Sequence, residues 1–171
     1  MRKICYGVAM SLDGYIAGPH GEDDWIVMDP EIDFGAMFAK YDTLVMGRKT
    51  FERMVKAGKA SIPGMKIVVF SKTLQSAQYP DVTIVADKLE ETVAALRAAP
   101  GKEIWLFGGG ALFRSFLEKG LVDTVEIGLI PILLGEGIPL LPAPAKRSRV
   151  TLVSQRIYRN SGVIMLTYTM K

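Results

Sequence analysis

Two apolar runs in this chain end in glycine just where a helix could begin. Thr43-Leu44-Val45-Met46 leads into Gly47-Arg48-Lys49-Thr50, and Ile104-Trp105-Leu106-Phe107 leads into Gly108-Gly109-Gly110, about 60 residues further on. Strands that are apolar without alternation are buried on both faces, as in a parallel sheet covered by helices on each side. At a strand-to-helix junction, backbone N–H groups are free and the helix dipole is positive, so phosphate binds well there. Two such junctions in one small domain point to a ligand with more than one phosphate.

The rest of the pattern agrees with an α/β chain. Residues 3–10 read as a buried strand, followed by a loop at Asp13-Gly14 and a short extended piece, Tyr15-Ile16-Ala17. Asp29-Pro30-Glu31 reads as a helix start, Asp as N-cap and Pro in the first turn. That helix is expected to reach Tyr41, with Ile32, Met37, Phe38 and Tyr41 inward. Strands follow at 43–46, 66–70, 82–85, 103–107 and 124–130. Helices are expected over 49–56, over 87–98 with Asp87 as cap, and over 111–119. Leu89, Val93 and Leu96 share a face of the second, and Leu112, Phe113, Phe116 and Leu117 point inward from the third. Residues 150–158 and 163–169 flank Arg159-Asn160-Ser161-Gly162, an antiparallel hairpin. The 171 residues therefore read as one domain, 1–171. Its fold class is three-layer α/β/α, with a mixed, mostly parallel central sheet and an antiparallel C-terminal hairpin.

Composition narrows the function classes. With 21 Lys and Arg against 18 Asp and Glu, the net charge is +3. The basic residues are scattered, with no stripe of cations and interleaved aromatics, so no nucleic acid partner is expected. A mild positive balance suits a small anionic ligand. The single cysteine, Cys5, excludes an internal disulfide and reads as a buried strand residue. The single histidine, His20, lies in the turn Gly18-Pro19-His20-Gly21, so neither a zinc site nor a histidine-based nucleophile is expected. No signal peptide is visible, and the apolar stretch 127–141 is cut by Pro131, Gly135, Gly137 and Pro139. A cytoplasmic protein with no membrane partner is expected.

Several residues could carry chemistry. Gly47 lets the backbone approach a ligand, Arg48 and Lys49 bring charge, and Thr50 a hydroxyl. The alternative is a solvated basic helix start. Gly108-Gly109-Gly110-Ala111 is costly unless the backbone must be bare, as against phosphate or ribose; the alternative is a loose turn. It is not the G-x-G-x-x-G fingerprint, which belongs in the first βα unit with an acid about 20 residues on. Ser71-Lys72-Thr73 at a strand end could hold an adenosine 2′-phosphate, though such residues are common in turns. The carboxylates near the expected cleft are Asp13, Glu31 and Asp33. As isolated residues they read equally as a turn aspartate and two dipole-stabilised surface acids.

In this order and spacing, the motifs resemble the dihydrofolate reductase-like superfamily. The likeness is to the branch typified by the reductase domain of bifunctional riboflavin-biosynthesis deaminase-reductases. It is carried by Ala9-Met10-Ser11-Leu12-Asp13-Gly14, by Asp42 through Glu52, by 68–73, by Leu106 through Gly110, and by Val122-Asp123 through Pro131-Ile132-Leu133-Leu134-Gly135. The resemblance implies a sheet of about eight strands and NADPH as hydride donor. Gly47, Arg48, Lys49 and Thr50 would hold the diphosphate and 2′-phosphate side, with help from Ser71, Lys72 and Thr73. Gly108, Gly109, Gly110, Ala111, Leu112 and Phe113 would line the diphosphate and nicotinamide, and one Gly-Gly bond would be cis. Ala9 and Ile16 would flank the nicotinamide.

On the substrate side, Glu31 or Asp33 could match the acid that true dihydrofolate reductases carry on the first helix. Their partner threonine falls near Gly128, with Glu126 two residues earlier, so that partner is missing. The resemblance thus implies a reductase of the 5-amino-6-(5-phosphoribosylamino)uracil reductase type. It would transfer hydride to a C=N or C=O carbon of a small heterocyclic or sugar-linked substrate. One of Asp13, Glu31 and Asp33 would stabilise charge or relay a proton, and Trp25 and Ile130 would touch the substrate. A dihydrofolate reductase proper and a non-catalytic nucleotide-binding module are the alternatives. A homodimer is also implied, with 127–141 as possible contact surface.

Overall fold

A computed structural model describes all residues, 1–171. Its elements are β1 (Ile4–Ser11), β2 (Tyr15–Ala17), α1 (Phe34–Ala39), β3 (Tyr41–Gly47), α2 (Arg48–Lys56), β4 (Lys66–Phe70) and β5 (Val82–Val85). They continue with α3 (Leu89–Ala98), β6 (Glu103–Gly108), α4 (Gly110–Glu118), β7 (Thr124–Ile130), β8 (Ile138–Pro139), β9 (Val150–Tyr158) and β10 (Val163–Met170). Eight strands form one sheet in the order β5-β4-β3-β6-β1-β7-β10-β9, and β2 pairs with β8 separately. From β5 to β7 all neighbours run parallel, whereas β10 is antiparallel to both β7 and β9. The architecture is the three-layer, mostly parallel α/β/α sheet with an antiparallel C-terminal end.

Each face of the sheet has its own core. On one, Val93 and Leu96 of α3 and Phe113 and Phe116 of α4 pack on Tyr6, Val45, Val68 and Leu106. Phe113 stacks flat on Tyr6, ring centroids 3.8 Å apart. On the other, Phe51 and Met54 of α2 pack on Leu44, Met46, Ile67 and Val69. A smaller cluster of Ile130, Tyr158 and Val163 on that same face lies under the loop that precedes α1.

That loop departs from the expected helix. The helix begins at Phe34, capped by Asp33, whose Oδ1 accepts from Ala36 N at 2.8 Å. Asp29 is instead drawn inside, 1% exposed, where its Oδ1 accepts from Glu31 N at 2.8 Å. The Ser161 hydroxyl and the Glu31 N–H hold its carboxyl below the ordinary range. A buried aspartate engaged with the N–H two residues on closes its own turn, and Asp33 caps the helix instead. Phe38 is partly exposed, stacked on Trp105 with ring centroids 5.3 Å apart, and Tyr41 is the first residue of β3. At α3 the cap is Lys88, left-handed at φ 65°, while Asp87 pairs with Lys72 at 3.2 Å.

Within 127–141, Ile127 and Ile130 are buried in β7, whereas Leu133 is exposed. Beside Val153 at its bulge, the exposed apolar residues of β9 are Val150, Leu152 and Ile157. Their register with Met170, Tyr168 and Ile164 puts them on one face. No helix is long and apolar enough to cross a membrane.

Asp13 fastens the loop after β7 to the turn after β1. Its carboxylate accepts from Ser11 Oγ at 2.6 Å, Leu134 N at 3.1 Å and Gly135 N at 2.8 Å. The Ser11 hydroxyl chiefly, then the Gly135 and Leu134 N–H groups, outweigh desolvation and hold its pKa below the ordinary 3.8. A lowered folded-state pKa stabilises fully above the unfolded value and is lost as pH falls through the folded one. Asp13→Asn, which turns an amide NH₂ toward these donors, should therefore lower the melting temperature at pH 7. The gap from wild type should close on acidification below about pH 4. Thermal melts of both proteins across pH 2.5–7 check this (the probing range, on the order of the carboxylate titration), and a gap that persists at the acid end would refute the clasp.

Candidate active site

Strand β3 continues outward to β4, whereas β6 connects across β1 to β7. The chain order reverses between β3 and β6, and in such sheets ligands bind beyond the carboxyl ends of the strands at that crevice. Both glycine signatures lie there. Met46 pairs with Gly108, and a Cβ built on Gly47 would lie 4.0 Å from Leu112 Cβ. The N-caps are Gly47 for α2 and Gly109 for α4, and neither supplies a side-chain hydrogen bond. Both helices thus present first-turn N–H groups without a capping side chain at one crevice. In α4 these belong to Gly110, Ala111 and Leu112, since Phe113 N already donates to Gly109 O at 3.0 Å.

The three glycines have separate physical reasons. A Cβ on Gly108 would meet Thr50 Oγ1 at 3.3 Å, and one on Gly110 would meet Pro139 O at 2.8 Å. Gly109 has φ +91°, which disfavours any side chain. The one cis bond is Ala143–Pro144, so the glycine bonds are trans, contrary to the expected cis Gly-Gly. The turn is made by the positive φ of Gly109.

The cations around the crevice are largely paired. Arg48 Nη1 lies 2.8 Å from Glu52 Oε1, one turn along α2, and Lys72 is paired with Asp87. Lys49 is exposed. Ser71 is buried, and its Oγ accepts from Thr73 N at 3.2 Å and Leu74 N at 3.1 Å, so its hydroxyl closes its own turn.

Beside this crevice the sheet parts. Strands β1 and β6 pair only from Ile4/Ile104 to Tyr6/Leu106, while β1 and β7 stay paired to Ser11/Ile130. Beyond the split, Gly7 O accepts from Trp105 Nε1 at 2.9 Å. Gly7, Ala9 and Gly128 lie on one face of the sheet, Ala9 in register with Gly128. These small residues leave a cavity of about 100 Å³ on the sheet, walled by Val27, Met28, Ile32, Phe34, Met37 and Met165. Ile130 also lines it, and Ile16 lies in β2.

Of the expected carboxylates, none lines this cavity. Asp13 is held as the anion by its clasp, the opposite of the raised pKa that a proton relay requires. Glu31 is exposed and accepts from Asn160 Nδ2 at 3.1 Å, and Asp33 caps α1. Trp25 is half-buried, donates to Glu22 O at 3.0 Å and packs against the cluster of Ile130, Tyr158 and Val163, without lining the cavity itself. The carboxylate at the cavity is Glu126, in register with Gly7. Its Oε1 lies 3.3 Å from Lys40 Nζ and its Oε2 3.3 Å from Tyr41 Oη. Burial and then the Glu126 charge push the Cys5 thiol up to about 11, so Cys5 stays protonated and inert. The signal for Glu126 was its place on a strand one alternation step from Gly128, the same face.

Comparison with known proteins identifies the family and the fold. The family model of the RibD C-terminal domain matches residues 2–164. The Bacillus subtilis protein YyaP is 34% identical over 98% of this chain and 94% of its own. A crystal structure of a candidate riboflavin biosynthesis protein from Shewanella sp. PV-4 superposes with a TM-score of 0.82 at 30% identity, covering 100% of this chain and 99% of that one. Dihydrofolate reductase from Enterococcus faecalis, solved with NADP(H), has a TM-score of 0.72 at 19% identity over 99% of this chain and 96% of that one, a likeness of fold. A family-model match over nearly the whole chain, and a relative 34% identical along 98% of it, show that this chain belongs to the RibD C-terminal domain family.

Proposed function

We propose that the protein is an NADPH-dependent reductase acting on a C=N or C=O carbon of a small heterocyclic or sugar-linked substrate. The observation that carries this reading is the adjacency of two features. One is a crevice with two uncapped helix N-termini, and the other an apolar cavity that opens where β1 leaves β6. A dinucleotide phosphate fits the first and a planar ring the second. NADPH, when bound, supplies the hydride. The N–H groups at the starts of α2 and α4 hold the diphosphate, and Arg48 and Lys49 hold the 2′-phosphate. Ala9 and Gly109 flank the ring that faces the cavity, whose apolar walls exclude water from the transfer. The folate alternative has less support, because neither Glu31 nor Asp33 reaches the cavity.

A cytoplasmic location is part of this reading, in keeping with a single, free, buried cysteine. So is a homodimer. We place its contact on β9, where a second copy would bury Val150, Leu152 and Ile157.

Quenching of Trp105, beside the split, should report cofactor binding in a titration with NADPH and NADH. Arg48→Ala should weaken NADPH by about tenfold or more, the size of a lost charge-assisted hydrogen bond, and leave NADH nearly unchanged. Equal loss for both, or no binding of either to wild type, removes the assignment. Gly128→Val, which pushes on Met165 Sδ from a Cβ 3.2 Å away, should fill the cavity. It should cut kcat/KM at least tenfold, on the order of 1.4 kcal/mol, on any substrate found among pterins and ribosylaminopyrimidines. NADPH affinity should stay within about twofold, and a loss of cofactor binding instead would place the nicotinamide, not the substrate, over Gly128. In sedimentation, Leu152→Lys should convert a wild-type dimer to monomer; a monomeric wild type would remove the dimer.

A further inference from the structure

The cavity is apolar but for one group, and that group is an anion. Glu126 is the only charged residue that lines it. Its side chain is 17% exposed, so the carboxylate has given up most of its water. In return it receives two contacts of 3.3 Å, from Lys40 and Tyr41. Charge-assisted hydrogen bonds run at about 2.7–2.9 Å, and a carboxylate offers about four acceptor positions. Glu126 is therefore underserved by the protein, and a ligand in the cavity would meet its remaining capacity. Its neighbour in register, Gly7, has no side chain to intrude.

Resting on the reductase reading for the cavity's role, we propose that Glu126 anchors the substrate, and that the substrate is a nitrogen heterocycle which presents N–H donors or a positive charge and carries no phosphate in this cavity. Two features fix the class. A cavity of about 100 Å³ holds about one ring, since roughly 150 Å³ accommodates benzene with room to spare. A phosphate there would find no cation among the lining residues and would lie beside a half-desolvated carboxylate, which repels it. Glu126 lies two residues along β7 from Gly128, about 6.6 Å of strand. A ring held at Glu126 by its donor edge thus extends toward Ala9, where the reading above places hydride transfer. Lys40 is the group that yields. Its side chain is 49% exposed and sits at the C-cap of α1, so it can swing into water when a ligand cation takes its place.

The test uses probes of one ring and opposite charge that are not reduced: benzamidine, benzoate and phenyl phosphate, titrated by calorimetry or ligand-observed NMR into the protein without cofactor, with inorganic pyrophosphate in excess to occupy the helix N-termini. Benzamidine should bind wild type at least tenfold more tightly than benzoate or phenyl phosphate. Glu126→Gln, nearly isosteric, should erase that preference. Lys40→Met, at an exposed position, should tighten benzamidine about two- to fivefold, the scale of a surface ion pair removed. Wild type that binds benzoate or phenyl phosphate as well as benzamidine overturns the proposal, and so does a folded Glu126→Gln that keeps the preference or a Lys40→Met that loses it. Should Glu126→Gln fail to fold, the wild-type and Lys40→Met comparisons still decide. Because no probe needs NADPH or turnover, a failure of the reductase reading shows in the cofactor titration and leaves this result separately legible.

Discussion

The hydrogen bond from Trp105 Nε1 to Gly7 O, 2.9 Å long, is the joint on which the site depends. Gly7 is the first residue of β1 beyond the last pair that β1 makes with β6. A carbonyl at a strand split is exposed to an uncompensated burial cost unless something bonds it. The indole does so, and only a glycine tolerates it, because a Cβ at that position would lie 2.9 Å from the same nitrogen. The strands can therefore diverge inside the molecule without an orphaned backbone group. Trp105 is in turn wedged between Tyr41, Phe38 and Phe107. The residues that seal the split are aromatic and rigid, so its position is fixed by packing.

The cavity follows from the same economy of side chains. Where β1 and β7 run on together, Gly7, Ala9 and Gly128 withhold the bulk that would fill the sheet's face. Glycine in strand interiors weakens them by lost packing and added backbone freedom. At Gly128 the loss falls where β7 is paired with both β1 and β10, and the other face is filled by Tyr6, Ile127 and Phe113. The protein is dense on the α3–α4 side and open on the α1 side of the same two strands.

The parts of this design that local chemistry dictates were legible in the sequence. Unbroken apolar runs such as Ile67-Val68-Val69 read as central strands, the glycine after each of β3 and β6 read as a helix start, and the turn at Gly162 closed the hairpin. The parts decided by burial or by partners distant in sequence were not. Asp29-Pro30 has the composition of a helix cap, yet that aspartate is buried and accepts from Glu31 N, and the helix starts only at Phe34. Asp13, Glu31 and Asp33 are alike as isolated acids, and only the fold shows each occupied with a turn, a hairpin side chain or a helix end. Glu126 was visible as a strand residue, but its meaning depends on the β1–β7 register that sets it against Gly7. The glycine triplet was read as bare backbone for a ligand, and Thr50 and the carbonyl of Pro139 now account for two of its three members. That leaves the ligand argument on the uncapped N–H groups, which are independent of why the glycines are there.

The C-terminal hairpin belongs to the site as well as to the sheet. The loop that walls the cavity with Val27, Met28 and Ile32 is tied to the β9–β10 turn through Glu31, which accepts from Asn160 Nδ2 at 3.1 Å. Met165 and Val163 of β10 line the cavity directly. One wall therefore comes from the first 40 residues and is held by the last 20. Asp29, buried beside that tie, holds the start of the wall inward, its Oδ1 accepting from Glu31 N at 2.8 Å. Strand β9 carries on its outer side the exposed apolar face, and on its inner end the turn that fastens the cavity wall. A copy seated on that face would stiffen the hairpin, and through Asn160 and Glu31 the cavity wall.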